Sequence, residues 1–539
     1  MKKNLGFAFL TLALMALLLA GCGKGNAAPA QAPAAGSARV GTPDLPLVDK
    51  PATLSVWLNL GQIDPSAGIT TLNDVLSWQV IEEKTGIHID WIHPPAGQDG
   101  ESFNLMIASG DYPDIIVNTG DALYSGGMDT AITDGVYIRL NELVEQYAPN
   151  YKELRTRTPE VARDTLTDQG NIGGFYSINT PNQGPWYGMA VRQDWLDDLG
   201  LATPVTYDDW YTMLTAFKEK KGASAPLWIM RRGGDLFSVF SAGYGITGPA
   251  SSMIGSFFQV DGKVKYSPLE PGYREYVAML AKWYREDLID KDYYTRNDYF
   301  VPDTLANTGR SGAFPDIYVM IPLHPLLSED KNINVVAIPA PVKNAGDRLH
   351  LRQYNFEWGN FSASVTAACK DPVLAVRWLD YLCSDEGSLI MGYGVEGDTF
   401  EYVDGKPRPT DKILNNPDGL NVAAARTKYV GGQPCGKYYW ERELAGAAQS
   451  SLDAINTVWP SNADGAYMMP NITMTAEESG EFSRIMGDVD TYAMEMTTKF
   501  IIGSEPLSRY DEFTGTIRSM GAENAVAIMQ TALDRYYRR

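Results

Sequence analysis

The alternation of short apolar strands with helical stripes is the feature that most constrains the fold of this chain. Residues 53–58 predict a strand, residues 72–84 place apolar side chains at helical spacing, and residues 87–92 predict a second strand after Gly86. A crossover of this kind is right-handed and makes the two strands parallel. The sequence therefore predicts an α/β fold with a doubly wound sheet.

A third strand is predicted at residues 115–117, which are all apolar and β-branched. Before it, a helical stripe ends at Gly110, and Pro113 prevents the helix from continuing. Asn118 and Asp121 follow the strand, at the position where open α/β sheets place their ligands. The same pattern also fits an ordinary helix–strand connection with a solvated loop.

A length of 539 residues exceeds what one core of ordinary size accommodates, so two or more lobes are expected. The second lobe is predicted to begin near Trp186, with a strand at residues 187–192 and a helix that starts with a capping box at Thr206. Residues 227–230 predict a buried strand with a polar turn at its exit.

Two later regions also carry clear helix signals. Asp371 and Pro372 form a helix N-cap followed by proline at the first helical position. Residues 507–520 and 526–536 predict two amphipathic helices that are separated at Gly521.

The N-terminus carries the most specific single signal. Lys2 and Lys3 precede an apolar run at residues 5–19, which is too short for a stable membrane span and ends in Leu-Ala-Gly-Cys at residues 19–22. This pattern resembles a bacterial lipoprotein signal, in which Cys22 would carry the acyl chains. An ordinary secretory signal with an incidental cysteine is the alternative. Residues 23–50, rich in Ala, Pro and Gly, predict a flexible tether.

Charge and cysteine content exclude several classes of function. The formal net charge of −21 repels nucleic acid and anionic lipid surfaces. The sequence has no Cys-x-x-Cys pair, so neither a zinc knuckle nor a thioredoxin-like site is indicated. Cys369, Cys383 and Cys435 allow at most one disulfide. Cys369 and Cys383 flank a predicted helix, and each of these two is interpreted as a small buried hydrophobe.

Catalytic motifs are weak. His88 and His93 are five positions apart on a predicted strand and so point to opposite faces. No Gly-x-Ser-x-Gly sequence is present, which leaves a serine hydrolase without its nucleophile. Residues 431–437 have the spacing of a phosphate loop, but Pro434 removes a needed amide and Tyr438 replaces the magnesium-binding hydroxyl residue.

Aromatic residues instead collect near predicted strand ends. Sugars present an apolar C–H face and a rim of hydroxyls, so they are bound by aromatic rings together with planar hydrogen-bonding side chains. Any one of these aromatic residues is better explained by core packing, but as a set they favour a cleft between two lobes. The set comprises Trp57, Trp186, Tyr187, Trp228, Tyr318, Trp358 and Trp440.

Six motifs in order give the chain a family resemblance. The first is Ser-Gly-Asp-Tyr-Pro-Asp-Ile-Ile at residues 109–116, and the others lie at residues 191–200, 371–382, 384–387, 392–397 and 500–507. Together they resemble the extracellular solute-binding proteins, family 1, and within it the long lipoprotein branch that serves oligosaccharide importers of the ABC type. The resemblance implies a two-lobed α/β clamshell of the periplasmic-binding-protein type II, with doubly wound sheets joined by hinge crossovers.

The resemblance also implies an organisation and a location. The expected protein is a monomer at the extracytoplasmic face of the cell membrane, where only its lipid anchor holds it. Its expected role is to deliver an oligosaccharide to an ABC permease without altering that ligand. Neither a cofactor nor nucleic acid is expected to take part. The predicted segments are a signal peptide at 1–21, a lipidated tether at 22–50, a first lobe at 51–180, a second lobe at 181–334, a return to the first lobe at 335–392, and a mainly second-lobe portion at 393–539.

Residues carried over from the family pattern give a set of ligand contacts shared between the lobes. No metal is predicted, because residues 221–226 lack any carboxylate where many long members carry a calcium loop. A surface glycan-active enzyme, a peptide binder and a sensor of the same fold remain alternatives. The predicted ligand residues are Asn59, Gln62, Asn118, Asp121, Trp186, Arg231, Arg232, Asp235, Tyr318 and Trp358, and the predicted lipidation site is Cys22.

Overall fold

The computed structural model describes residues 44–59, 67–95, 97–118, 124, 126–180, 183–229, 239–247, 256–295, 301–351 and 357–539.

Within the described residues, the strands form one six-stranded sheet, one three-stranded sheet and two hairpins. In chain order they are β1 (Ala52–Trp57), β2 (Ile87–Ile92), β3 (Ile115–Asn118), β4 (Phe175–Asn179), β5 (Tyr187–Arg192), β6 (Phe257–Val260), β7 (Lys263–Tyr266), β8 (Ala313–Ile317), β9 (Val335–Ile338), β10 (Trp358–Val365), β11 (Phe400–Val403), β12 (Lys406–Pro409) and β13 (Gly436–Tyr438).

Helices connect and cover these strands. In chain order they are α1 (Leu76–Thr85), α2 (Asp99–Ser109), α3 (Gly127–Thr133), α4 (Asn141–Tyr147), α5 (Pro149–Arg155), α6 (Pro159–Asp164), α7 (Gln193–Leu199), α8 (Tyr207–Lys221), α9 (Pro271–Arg285), α10 (Val301–Asn307), α11 (His324–Leu327), α12 (Pro372–Cys383), α13 (Asp385–Tyr393), α14 (Asp411–Leu414), α15 (Val422–Tyr429), α16 (Trp440–Glu443), α17 (Gln449–Asp453), α18 (Ala476–Ile502), α19 (Tyr510–Ser519) and α20 (Ala522–Tyr536).

The six-stranded sheet has the order β13-β4-β10-β3-β1-β2. As predicted, β1 pairs in parallel with both β2 and β3. Neighbouring residues on one strand point to opposite faces, and both faces are covered: Val56 belongs to a core with α1 and α12, whereas Trp57 packs with Phe103 of α2 on the other side. Helices therefore lie on both sides of this sheet, which is the doubly wound arrangement.

The three-stranded sheet has the order β8-β5-β9, and both of its pairings are antiparallel. Helices nevertheless cover both faces of this sheet, because Val191 belongs to a core with α8, whereas the neighbouring Ala190 packs with Leu305 and Ala306 of α10. Of the predicted strand at residues 227–230, Met230 lies outside the described residues, and Leu227 forms isolated bridges to Ile289 and Ala313.

Two separate cores define the two lobes that the sequence predicts. The first core draws its residues from positions 47–178 and 363–435, and the second from positions 187–338 and 482–533. The chain thus passes from one core to the other three times. The exact domain boundaries remain predictions.

Local capping accounts for several helix ends. Thr206 and Asp209 form the predicted capping box of α8, and the Asp371 carboxylate accepts from the Leu374 N–H at the start of α12. Gly521, with a φ of 102°, separates α19 from α20. Sequence analysis missed α18, the 27-residue helix that supplies much of the second core, although it too begins with a capping box, at Thr475.

Candidate ligand-binding site

Six of the predicted functional residues lie outside the described residues. The part of the chain that the structure describes therefore tests none of their roles. They are Cys22, Gln62, Asp121, Arg231, Arg232 and Asp235.

On the first lobe, the structure brings the predicted residues Asn59 and Asn118 to the same edge of the sheet. In the parallel pair, Val56 is opposite Ile115 and Trp57 is opposite Ile116, so positions 59 and 118 are level with each other. Both are at the carboxyl ends of their strands, which is where ligands of open α/β sheets bind.

On the second lobe, Trp186 and Tyr318 are neighbours although they are far apart in sequence. The N–H of Tyr318 donates to the carbonyl of Trp186 at 3.1 Å, because β5 and β8 pair up to this point. The carbonyl of Tyr318 accepts from the hydroxyl of Ser451 at 2.7 Å. Both aromatic side chains are half-buried.

Trp358 belongs instead to the first sheet. It is the first residue of β10, it is opposite Ile178 of β4, and its ring meets the ring of Tyr176 edge-on at 5.6 Å. The described aromatic residues of the predicted site are therefore divided between the two lobes.

Tyr318 and Trp440, which belong to the predicted aromatic set, pack within a cluster whose ionic side chains sequence analysis missed. We call it the crossover cluster because the chain passes here from β13 toward the second lobe. The signal was present as three consecutive aromatic residues at positions 438–440, but the ionic partners could not be assigned from sequence. The crossover cluster consists of Tyr318, Arg426, Tyr438, Trp440, Arg442 and Glu443.

Glu443 organises the crossover cluster. Its Oε1 accepts from the Tyr438 hydroxyl at 2.8 Å and from Arg442 Nη2 at 2.6 Å, while its Oε2 is 2.8 Å from Arg426 Nη1. The ring of Tyr318 packs at 6.2 Å from that of Trp440. The carboxylate thus fixes one hydroxyl and two guanidinium groups next to a pair of aromatic rings.

The electrostatics of the crossover cluster keep each group in one protonation state. Burial opposes the ionisation of Glu443, but Arg442 and Arg426 outweigh it and lower the Glu443 pKa to about 2. Burial, assisted by the Glu443 charge, raises the pKa of Tyr438 to about 12 and also raises the pKa of Tyr318. At neutral pH the carboxylate is ionised and both phenols keep their protons.

A second set of ionic contacts joins the lobes directly. Asp168, which follows α6 of the first lobe, accepts from Arg535 Nε at 2.9 Å and from Arg539 Nη2 at 2.6 Å. Arg535 also pairs with Glu478 at the start of α18. Nearby, the hydroxyl of Tyr536 donates to Asp164 at 2.7 Å. We call Asp168, Arg535, Arg539 and Glu478 the interlobe ion pairs.

Two cavities border these contacts. One, of about 300 Å³, lies between the N-terminus of α3 and residues 473–476, and the other, of about 410 Å³, lies between α6 and residues 464–470. Their described lining residues include none of the predicted ligand residues. Both volumes are at the small end of the range for ligand pockets.

The described residues contain no group of three His, Cys, Asp or Glu side chains that could hold a metal ion. None of the helices in the described residues has the length and apolar character of a membrane span. In the segment where no calcium is predicted, the backbone N–H of Ala223 donates to Phe217 and that of Ala225 to Arg310. The absence of calcium remains a prediction.

Comparison with known proteins identifies one family. The sequence profile of the bacterial extracellular solute-binding proteins matches residues 71–388. The chain is 24% identical to the fructooligosaccharide ABC transporter substrate-binding protein FusA of Streptococcus pneumoniae, over 86% of this chain and 87% of that protein. It is 22% identical to the lipoprotein LipO of Bacillus subtilis, over 81% of this chain and 84% of that protein.

A solved structure supports the fold. The alginate-binding protein AlgQ2, crystallised without calcium ion, is 25% identical to this chain and superposes with a TM-score of 0.66. The superposition covers 90% of this chain and 99% of AlgQ2. The likeness therefore extends over both lobes.

Proposed function

This chain belongs to the family of bacterial extracellular solute-binding proteins, and we propose that it captures an oligosaccharide between its two lobes and delivers it to the membrane subunits of an ABC importer. Its relative FusA is named for fructooligosaccharides, and its structural relative AlgQ2 is named for alginate, so both are named for carbohydrate chains.

The crossover cluster is the observation that carries the proposal. A sugar is recognised by aromatic surface together with hydrogen-bonding groups held in fixed orientations. Tyr318 and Tyr438 are half-buried, and Glu443 fixes the Tyr438 hydroxyl beside the guanidinium groups of Arg426 and Arg442. Such a preorganised surface loses little side-chain entropy when a ligand binds.

The proposed ligand bridges the lobes. On the first lobe it contacts the strand ends at Asn59 and Asn118 and the following position Asp121, and on the second lobe it contacts Arg231 and Tyr318. The further proposed contacts are Gln62, Trp186, Arg232, Asp235 and Trp358. Because each lobe offers only part of the site, closure of the lobes contributes to affinity.

Binding without chemistry is favoured by the protonation states in the crossover cluster. General acid–base catalysis requires groups whose pKa values are near the working pH. The Glu443 pKa of about 2 and the Tyr438 pKa of about 12 are both far from neutrality. We therefore propose a receptor rather than a glycan-active enzyme.

A thermal-shift screen of the unlipidated chain tests the ligand class. A ligand that binds only the folded state raises the melting temperature. The panel contains fructan, alginate and neutral branched oligosaccharides, with short peptides as the matched comparison. We expect a rise with at least one oligosaccharide and none with peptides. A rise with peptides alone would contradict the proposed ligand class.

We further propose that Cys22 carries the lipid anchor at the extracytoplasmic face of the membrane. The support is the Leu-Ala-Gly-Cys sequence at residues 19–22 and the relative LipO, which is named a lipoprotein. The Cys22→Ser variant should remain unprocessed or should leave the membrane fraction. A shortened Cys22→Ser chain that still partitions with the membrane would contradict lipidation at this residue.

A further inference from the structure

Two of the three cysteines in the described residues are adjacent in space. Cys383 is the last residue of α12, and Cys435 immediately precedes β13. Their Sγ atoms are 4.0 Å apart, and both side chains are buried. The thiol of Cys383 donates to the sulfur of Cys435, which in turn contacts the carbonyl of Leu379 at 3.9 Å.

The backbones of the two segments are also in close contact at this point. Gly436 has a φ of 91°, and a Cβ added to it would be 2.6 Å from the carbonyl oxygen of Leu382. Glycine is therefore required at position 436 both for its conformation and for its space. This close approach places the preceding Cys435 beside Cys383.

Cys369 lies too far from Cys383 to form a disulfide with it. It precedes α12, whereas Cys383 ends it, and the 12 residues of this helix span about 18 Å. A disulfide requires Cα atoms within about 7 Å of each other. Because Cys435 lies beside Cys383, the same separation also keeps Cys369 from Cys435, so geometry leaves the pairing of Cys383 with Cys435.

We propose that Cys383 and Cys435 are oxidised to a disulfide when the exported chain folds. Each thiol gives up one proton and one electron, a sulfur–sulfur bond forms between the two residues, and the disulfide of an extracytoplasmic thiol oxidoreductase is reduced to two thiols. The bonded sulfurs are about 2.05 Å apart, so closing the present gap requires a movement of about 2 Å in total.

The timing follows from the chemistry of the thiol. A thiolate is the reactive species, and burial raises the pKa of Cys383 well above its usual value. Exchange with an oxidoreductase therefore takes place before α12 and β13 bury the pair. The same burial then protects the finished disulfide from reductants.

The disulfide would close the excursion of the chain between α12 and β13. This excursion contains α13, the β11–β12 hairpin, α14 and α15. It would also hold β13 against the first sheet, where Gly436 pairs with Ser177 of β4, at the point where the chain leaves for the second lobe. The bond would thus fix the starting point of a crossover.

Peptide mapping of the full chain after export tests the proposal. The protein is denatured without reductant in the presence of an alkylating reagent and then digested. We expect alkylated Cys369 and one cross-linked peptide pair, containing Cys383 and Cys435, that is lighter by two hydrogen atoms than the two thiol peptides. Three alkylated thiols, or a cross-link to Cys369, would overturn the proposal.

Stability measurements on matched variants give an independent readout. When each protein is equilibrated with a reductant at every urea concentration, the disulfide is reduced as the chain unfolds, so the urea midpoint of the wild type and of the Cys369→Ala control should fall because the loop is released. The reductant should leave the midpoint of Cys435→Ala unchanged. Equal sensitivity of all three proteins to the reductant would overturn the proposal. Neither experiment depends on the identity of the ligand.

Discussion

The Asp168→Ala substitution tests the interlobe ion pairs. The Asp168 carboxylate accepts from Arg535 at 2.9 Å and from Arg539 at 2.6 Å. The Arg539 side chain is only 1% exposed and that of Asp168 is 11% exposed. Removing the carboxylate leaves a buried guanidinium group without its counter-charge, which costs 3–5 kcal/mol in comparable buried pairs. Arg535 keeps Glu478 as a partner, so we expect a loss of about 3 kcal/mol.

Urea unfolding followed by tryptophan fluorescence measures this loss. The matched control is Asp511→Ala, which breaks an ion pair of Asp511 and Arg274 whose side chains are 83% and 48% exposed. An exposed pair contributes less than about 1 kcal/mol, so the control should unfold nearly as the wild type does. If Asp168→Ala loses no more stability than Asp511→Ala, the interlobe ion pairs do not stabilise the fold.

Three further predictions concern stability. Gly188→Ala should lower the free energy of unfolding, measured by urea titration, by about 1–3 kcal/mol, since its Cβ would be 2.4 Å from the ring of Trp459. Gly480→Ala, which lies in open space on α18, should raise the free energy of unfolding by up to about 1 kcal/mol. Equal effects of the two substitutions would contradict the packing of Gly188 against Trp459. Because the folded protein lowers the Glu443 pKa from 4.5 to about 2, the ionised carboxylate stabilises the fold fully above pH 4.5 and loses this effect as the pH falls toward 2. Glu443→Gln should therefore be less stable than the wild type by up to about 3 kcal/mol at pH 7 but equally stable near pH 2. A stability difference that stays constant with pH would contradict this assignment. A calcium chelator should leave the melting temperature unchanged, and a fall that calcium reverses would reveal a site.

Local sequence signals predicted the elements that are defined by short-range physics. The strands at residues 87–92 and 187–192 match β2 and β5 residue for residue, because each is bounded by a residue that ends a neighbouring helix or begins the next one. The capping box at Thr206 likewise fixed the start of α8. These signals depend on side chains only a few positions apart.

Long-range contacts could not be predicted in the same way. Asp168 and Arg535 are 367 positions apart, and each alone is an ordinary polar residue on a loop or helix. The antiparallel order of the second sheet is hidden in the same way, because the pattern of β5 does not determine the direction of its neighbours β8 and β9, which come from residues 313–338.

Sequence signals predicted only the aromatic part of the candidate site, because its ionic part depends on long-range contacts. An aromatic residue at a strand end is visible in the sequence, and the structure does bring Trp186 beside Tyr318. The ionic half of the crossover cluster was missed, because Arg426 of α15 and Glu443 of α16 are separated in sequence by β13 and form their ion pair only in the folded chain.

Isothermal titration calorimetry with an oligosaccharide that passes the thermal-shift screen tests the central claim most directly, because it reports binding and turnover in the same trace. The account predicts a saturable isotherm with one ligand per chain and a heat flow that returns to the baseline after saturation. Heat flow that continues after saturation would reveal an enzyme that consumes the ligand. No saturable heat would contradict capture of that oligosaccharide.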